Sequence, residues 1–240
     1  VAFDYSQMEL RIAAFLSGDE KLVEIFKKGE DVHTAVASEV FGVSFDKVDK
    51  EMRRQAKVIN FGIIYGMGIN ALKQNLGTDR ESAQKFYNEY FKKFFGLAEY
   101  LEKVKNETFK KGYTETFFGR RRYFEGLNSP LPYIRASAER MAINAPIQGT
   151  GADIVKLAMA KVYEFLKGEN LLEDVRLLLQ VHDELLFEIK DSLVKKVSPE
   201  IKKIMESVIS PKEIMGVACV VDVSVGDNWG ELEKVVAGRL

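Results

Sequence analysis

Leu177-Leu178-Leu179-Gln180-Val181-His182-Asp183-Glu184-Leu185-Leu186-Phe187-Glu188-Ile189 is the stretch that decides the fold: two apolar runs with His-Asp-Glu between them. Runs of this length, rich in Leu and Val and bounded by charge, suit β-strands, and the tight connection makes a hairpin. The hairpin is expected to be buried, as core strands are, with Asp183 and Glu184 exposed at its tip. An acidic turn is in itself ordinary turn chemistry. Asp4, at the end of the apolar run Val1-Ala2-Phe3, supplies a second strand-end carboxylate and turns the tip into half of a possible pair.

Composition narrows the classes open to the chain. Its 240 residues can hold one large domain or two lobes with a substantial core, enough for an enzyme. Hydrophobic residues at 46% and charged ones at 30% exclude a disordered chain. The single cysteine, Cys219, excludes an internal disulfide and suits a reducing compartment, so a cytoplasmic location is expected. No Cys/His zinc pattern is present. No apolar run approaches the ~18 residues of a membrane span, and no signal pattern opens the chain, so no membrane partner is expected. The net charge of −1 hides an uneven distribution. Residues 1–51 carry 6 Lys/Arg against 11 Asp/Glu, a balance of −5, whereas residues 92–122 carry 9 against 4, a balance of +5. Contact with phosphate would therefore be local.

Between the two acid-bearing strands the pattern is helical. An amphipathic helix follows Asp4 and closes near Gly18; a helix with Asp31-Val32-His33-Thr34 lies between Gly29 and Gly42; another begins near Asp46 or Asp49. That last helix carries Arg53-Arg54-Gln55-Ala56-Lys57-Val58-Ile59-Asn60-Phe61-Gly62-Ile63-Ile64-Tyr65-Gly66. At about 100° per residue, positions 53, 57, 61 and 65 drift only ~40° per step, so Arg53, Lys57, Phe61 and Tyr65 form one inclined stripe. Two cations followed by two aromatics can be a solvated face running into the core, or a surface that grips a triphosphate and stacks a base or sugar. Aromatic residues from Phe86 to Phe94 make a packing face. The three arginines Arg120, Arg121 and Arg122 beside aromatics are either a phosphate-contact patch or an exposed turn. A helix from Tyr133 is expected to break at Pro146, turn through Ile147-Gln148-Gly149-Thr150-Gly151, and resume to Lys167. Arg140, Asn144 and Gln148, four residues apart, put hydrogen-bonding groups in file before that break, and such groups need partners.

Three stretches taken together resemble the polymerase motifs of the family-A DNA polymerases, the bacterial DNA polymerase I class: Asp4-Tyr5-Ser6-Gln7-Met8-Glu9-Leu10-Arg11, Arg53 through Gly66, and Gln180-Val181-His182-Asp183-Glu184. Asp31-Val32-His33-Thr34, Gly119 to Tyr123, and Ala138 to Thr150 are similar to the same family, so the resemblance covers nearly the whole chain. Only Ala237-Gly238-Arg239-Leu240 is left without a reading, as a remnant or a frayed tail.

The resemblance implies an α+β fold: an antiparallel palm sheet with helices and an inserted, mostly helical fingers subdomain. Residues 1–30 and 131–240 would form the palm and 31–130 the fingers, with the thumb and exonuclease-type domains absent. It implies DNA synthesis on primer-template DNA from deoxynucleoside triphosphates. Two Mg²⁺ ions would be held by Asp4, Asp183 and the Tyr5 carbonyl, one lowering the pKa of the primer 3′-hydroxyl and the other neutralising the leaving pyrophosphate. Glu184 would help beside Asp183. Glu9 would lie under the sugar and exclude a 2′-hydroxyl; His33, Arg53 and Lys57 would hold the triphosphate, with Lys57 protonating pyrophosphate; Phe61 would lie against sugar and base, and Tyr65 would guard the template base. Arg140, Asn144, Gln148 and His182 would touch primer and template. Because the thumb supplies much of the grip on duplex DNA, an N-terminal polymerase portion carrying it is an expected partner, and the chain alone is expected to synthesise weakly. Two alternatives stand beside this: a single-subunit RNA polymerase-like enzyme, and a non-catalytic DNA-binding or assembly fragment.

Overall fold

In the computed structural model, which describes residues 1–235, the chain is α+β and groups into two compact units. The residues 237–240 that carried no reading lie outside the described part. In chain order the elements are β1 (Ala2–Tyr5), α1 (Met8–Ser17), α2 (Glu20–Lys28), α3 (Val32–Phe41), α4 (Lys50–Ile64), α5 (Ile69–Leu76), α6 (Arg80–Lys93), α7 (Phe95–Lys111), β2 (Tyr113–Glu115), β3 (Arg121–Tyr123), α8 (Pro132–Gly168), β4 (Val175–Val181), β5 (Glu184–Ile189), α9 (Asp191–Glu206), β6 (Val221–Val225) and β7 (Glu233–Lys234). Unit 1 comprises residues 1–8, 151–214 and 218–240, and unit 2 comprises 9–150 and 215–217. Among the described residues no helix is long and apolar enough to cross a membrane.

Unit 1 is built on a five-stranded sheet in the order β4-β5-β1-β6-β7, antiparallel at every pairing. One face is apolar. Phe3 of β1 meets Phe187 of β5 edge to face at 5.6 Å, and Leu185, Val221 and Val223 are buried on the neighbouring strands. Helix α9 packs on β6 and buries Val197, Ile201 and Met205, four residues apart; the second half of α8 repeats the device with Ile154, Ala158, Val162 and Leu166. Each fully buried large side chain contributes about 1.5–3 kcal/mol.

The deciding hairpin is present but not wholly buried. β5 is a core strand, whereas β4 is one of the two edge strands among the described residues, and Leu177, Leu178 and Leu179 are exposed. The pairing explains how three leucines come to lie on an edge. Leu177 pairs with Phe187 and Leu179 with Leu186, so Leu178 is the extra residue of a β-bulge, and the inward alternation expected of a core strand is lost.

Unit 2 is mostly helical, and its helix starts follow from the sequence. Asp19, Asp31, Asp49 and Asp79 each accept a hydrogen bond from the backbone N–H three residues on, capping α2, α3, α4 and α6. Asp19 is buried and also accepts from the Leu97 N–H at the start of α7, so one carboxylate serves two helix termini.

Pro146 does not break α8, which runs unbroken as a helix from Pro132 to Gly168. The missing donor costs one intrahelical bond, typically ~3 kcal/mol with the ring clash. Burial on both sides of it, at Ala142, Ala145, Ile147 and Ile154, opposes that cost. Near it the Thr150 hydroxyl donates to the Pro146 carbonyl at 2.6 Å and accepts from the Phe117 N–H at 3.0 Å, tying this part of the helix to the segment after β2.

Candidate active site

In unit 1 the central strands place three carboxylates side by side. Asp4 on β1 lies opposite Glu184 on β5 and opposite Asp222 on β6. Directly opposed residues share a face, with Cβ atoms about 4.5–5.5 Å apart, so Glu184, Asp4 and Asp222 form a row across three strands. Phe3 and Tyr5 point to the other face and are buried, and the Tyr5 hydroxyl donates to the Met205 carbonyl at 2.8 Å. The Tyr5 N–H donates to the Asp183 carbonyl at 3.3 Å, which ties the hairpin tip to the end of β1.

The turn itself has two residues, His182 and Asp183, between the paired Val181 and Glu184. His182 has φ +54°, in the left-handed region that costs a non-glycine residue energy. The Gln180 side-chain amide donates to the His182 carbonyl at 3.0 Å and braces the turn.

The outer two acids of the row have partners. Glu184 accepts from the Trp229 indole N–H at 3.1 Å, and Asp222 pairs with Lys234 at 2.8 Å. The Asp4 carboxylate, in the middle, has no hydrogen bond or ion pair among the described residues. Although it is open to solvent on one side, partial desolvation by the surrounding strands, then the charges of Asp183, Glu184 and Asp222, push its carboxyl up to about 6; Lys234 opposes them. Burial raises Asp183 as well, against its own backbone hydrogen bond and the nearby His182.

Such a row suits a hard cation. Like charges directly opposed are destabilising, and a divalent ion on carboxylate oxygens would offset both the desolvation and the repulsion that lift Asp4. Among the described residues no group of three or more His, Cys, Asp or Glu side chains is arranged to hold a metal ion, so any ion on Asp4 and Asp183 would need further ligands from elsewhere.

Unit 2 carries the cationic stripe. Arg53 and Lys57 of α4 are exposed, Phe61 is half-buried, and Tyr65 caps the helix and is exposed, its ring stacked with that of Phe61 at 6.5 Å and 16°. The Tyr65 hydroxyl donates to Glu9 at 2.7 Å. Gly66 follows at φ +65°, and a Cβ there would come within 3.1 Å of Arg140, so glycine allows α8 to approach the end of α4. Arg140 and Gln148 are exposed on α8, and Asn144 between them has a buried Oδ1 without a partner among the described residues. His182, grouped with these three by the resemblance, belongs to unit 1.

His33 differs from its neighbours. It is 4% exposed, and its Nδ1 lies 3.0 Å from the Asn60 amide nitrogen, an arrangement in which a neutral ring accepts from the amide. Burial first, then Arg53 and Lys57, push it down to about 4 against the pull of Asp31. The ring is therefore neutral at physiological pH and can offer a phosphate a hydrogen bond but no charge.

Asp31, Asn60, Asp222 and Trp229 join these constellations only in the structure. Asp222 was within reach: in Val221-Asp222-Val223-Ser224-Val225 the alternation already puts it on the polar face. Asn60 falls on the buried side of α4, where a polar residue needs a partner. Asp31 reads as a helix cap and Trp229 as a turn residue, and neither carries a further local signal.

Comparison with known proteins identifies the family. The sequence profile of DNA polymerase family A matches residues 1–231. The chain is similar to DNA polymerase I, thermostable, of Thermus aquaticus, with 45% identity over 229 residues, 95% of this chain and 27% of that protein. To DNA polymerase I of Pseudomonas aeruginosa it is 43% identical over 231 residues, 96% of this chain and 25% of that protein. Among solved structures, the polymerase domain of Pol1 from M. smegmatis in complex with DNA primer-template and dNTP superposes with a TM-score of 0.89 at 41% identity, covering 95% of this chain and 39% of that one. The chain thus spans about a quarter of the length of the curated relatives it matches.

Proposed function

Because this chain belongs to DNA polymerase family A, we propose that it carries the chemistry of template-directed DNA synthesis, the transfer of a deoxynucleotide from its triphosphate to a primer 3′-hydroxyl. The observation that carries the reading is the acid row, with an unpartnered Asp4 at its centre and Asp183 beside it at the hairpin tip. Two Mg²⁺ ions on Asp4, Asp183 and the Tyr5 carbonyl would activate the primer hydroxyl and neutralise the departing pyrophosphate.

The chain's own residues supply the rest. Arg53 and Lys57 present positive charge to the triphosphate; Lys57 makes no ion pair among the described residues, so it is available to protonate pyrophosphate as it leaves. His33, neutral and anchored by Asn60, orients a phosphate by hydrogen bonding. Phe61 offers a ring to the sugar and base, and Tyr65, held by Glu9, closes the end of the stripe where the template base would sit. Glu9 is assigned to the exclusion of a 2′-hydroxyl, which favours DNA over the RNA polymerase alternative. Arg140, Asn144, Gln148 and His182 are assigned to primer and template, and the spare acceptor of Asn144 supports a polar ligand there. Glu184, engaged by Trp229, is assigned an auxiliary part beside Asp183. A net charge of −1 leaves little general attraction for duplex DNA, so processive synthesis is proposed to draw on an N-terminal thumb-bearing portion.

Primer extension with and without Mg²⁺, on the protein and on its Asp183→Asn variant, tests the reading. Asp183→Asn removes charge from the site with little change in volume, so extension should disappear while nucleotide binding persists. Appreciable turnover by Asp183→Asn would refute the metal role. DNA binding without Mg²⁺-dependent extension in the unaltered protein would leave only the non-catalytic reading.

A further inference from the structure

Arg53 is not a free cation. Its Nε donates to Asp31 Oδ1 at 3.0 Å and its Nη2 to Asp31 Oδ2 at 2.8 Å, a two-point pairing of planar groups between α4 and the start of α3, 22 residues apart in the chain. The neighbouring Arg54 pairs instead within its own helix, with Glu51. A guanidinium has five N–H groups, and this pairing uses two of them. Nη1 makes no hydrogen bond among the described residues, and about half of the side chain is open to solvent.

The partner is itself fixed. Asp31 caps α3, with Oδ1 accepting from the Thr34 N–H at 2.8 Å and from the Thr34 hydroxyl at 2.7 Å. Behind it, His33 and Asn60 join α3 to α4 at 3.0 Å, and the His33 and Phe61 rings lie 5.8 Å apart. Burial would raise Asp31, but the hydrogen bonds from Arg53 and Thr34 outweigh it and hold the carboxyl at about 2, so it stays ionised throughout the working range.

We propose that Asp31 is a positioning residue for nucleotide binding: it holds the Nε–Nη2 edge of Arg53 so that the remaining N–H groups, centred on Nη1, are presented outward to a triphosphate. The inference rests on the triphosphate role proposed above for Arg53. Asp31 touches no nucleotide and acts by removing rotamer freedom from a long side chain before the ligand arrives. A competing role, in which Asp31 sequesters Arg53 from phosphate, has the opposite sign.

The test uses Asp31→Ser, which keeps a good helix cap but lacks the carboxylate, with Asp31→Asn as a second variant that keeps the shape. Thermal melting verifies that each folds. Binding of dATP and of inorganic tripolyphosphate is then measured for the protein, Asp31→Ser, Arg53→Ala and the double variant, together with kcat and KM for extension. Expected are a loss of about fivefold to tenfold in affinity for both probes in Asp31→Ser, an equal rise in KM with kcat changed less, and a double variant no weaker than Arg53→Ala. Unchanged or tighter binding in Asp31→Ser, or effects that multiply in the double variant, would overturn the proposal. If Arg53→Ala leaves affinity unchanged, the triphosphate role of Arg53 falls and the proposal with it. If Arg53→Ala weakens binding and Asp31→Ser does not, only the role of Asp31 falls.

Discussion

Replacing Asp4 by Asn should make the protein more stable and inactive, with the gain confined to neutral and higher pH. The carboxyl is pushed from its ordinary 3.8 up to about 6 by desolvation and by Asp183, Glu184 and Asp222. Between those two values the native state holds a proton that the unfolded chain has already released, so stability falls as the pH rises through that window. The cost is absent below about pH 4 and complete above about pH 6. A shift of about two units corresponds to about 3 kcal/mol, and the open side of Asp4 reduces it through solvent screening to about 1 kcal/mol. At pH 7.5 Asp4→Asn should therefore melt about 2–4 °C higher than the parent, and at pH 4 the two should coincide. Adding Mg²⁺ at pH 7.5 should narrow or invert the difference, because an ion bound by the native carboxylates stabilises only the parent. Thermal melting followed by circular dichroism, at two pH values with and without Mg²⁺, reads all four combinations. Equal or lower stability of Asp4→Asn at pH 7.5, or the same gain at pH 4, would refute the account of Asp4 as a carboxylate destabilised by desolvation and by its acidic neighbours.

Three further outcomes follow from individual side chains. His33, held at about 4 against an ordinary 6.5, has the opposite linkage: as the pH falls from 6.5 towards 4 the unfolded chain gains a proton that the native ring refuses. About 2 kcal/mol of stability should be lost across that range, and His33→Gln should flatten this part of the pH–stability curve, read by urea denaturation. Gly149→Ala should destabilise by about 1–2 kcal/mol despite the better helix propensity of alanine, because a Cβ there would lie 2.6 Å from the Thr116 methyl; a melting temperature at or above that of the parent would contradict the close packing. Tyr90 is fully buried and its hydroxyl has no partner among the described residues, so Tyr90→Phe should leave stability unchanged or raise it by up to about 1 kcal/mol, whereas a loss of more than that would reveal a hydrogen bond to the hydroxyl.

Much of the site could be read from local pattern. The Arg53–Lys57–Phe61–Tyr65 stripe follows from helical period, and the exposure of its two cations and of Tyr65 agrees with it. Asp49 caps a helix at one of the two starts the pattern allows, and the two-residue turn at His182-Asp183 lies where the apolar runs part. Less legible was what depends on a neighbour distant in sequence. The resemblance implies that His33 holds the triphosphate beside two cations, yet its charge is removed by burial against Asn60, 27 residues away. Leu177-Leu178-Leu179 reads as core, yet strand order puts it at an edge and a bulge at Leu178 breaks its alternation.

By itself, then, the sequence determined the helix start near Asp49, the acidic hairpin tip and the cationic stripe, since each depends on residues within a few positions of one another and on a backbone period of two or 3.6, while the α+β class came with the family resemblance. Tertiary structure alone decided that Asp222 joins Asp4 and Glu184 in one row, that Trp229 and Lys234 engage the outer acids and leave the middle one free, and that Asp31 rather than solvent meets Arg53. Strand register and burial are set by pairing across tens to hundreds of residues, and the same register that aligns three strands by their apolar face brings three like charges together on the other.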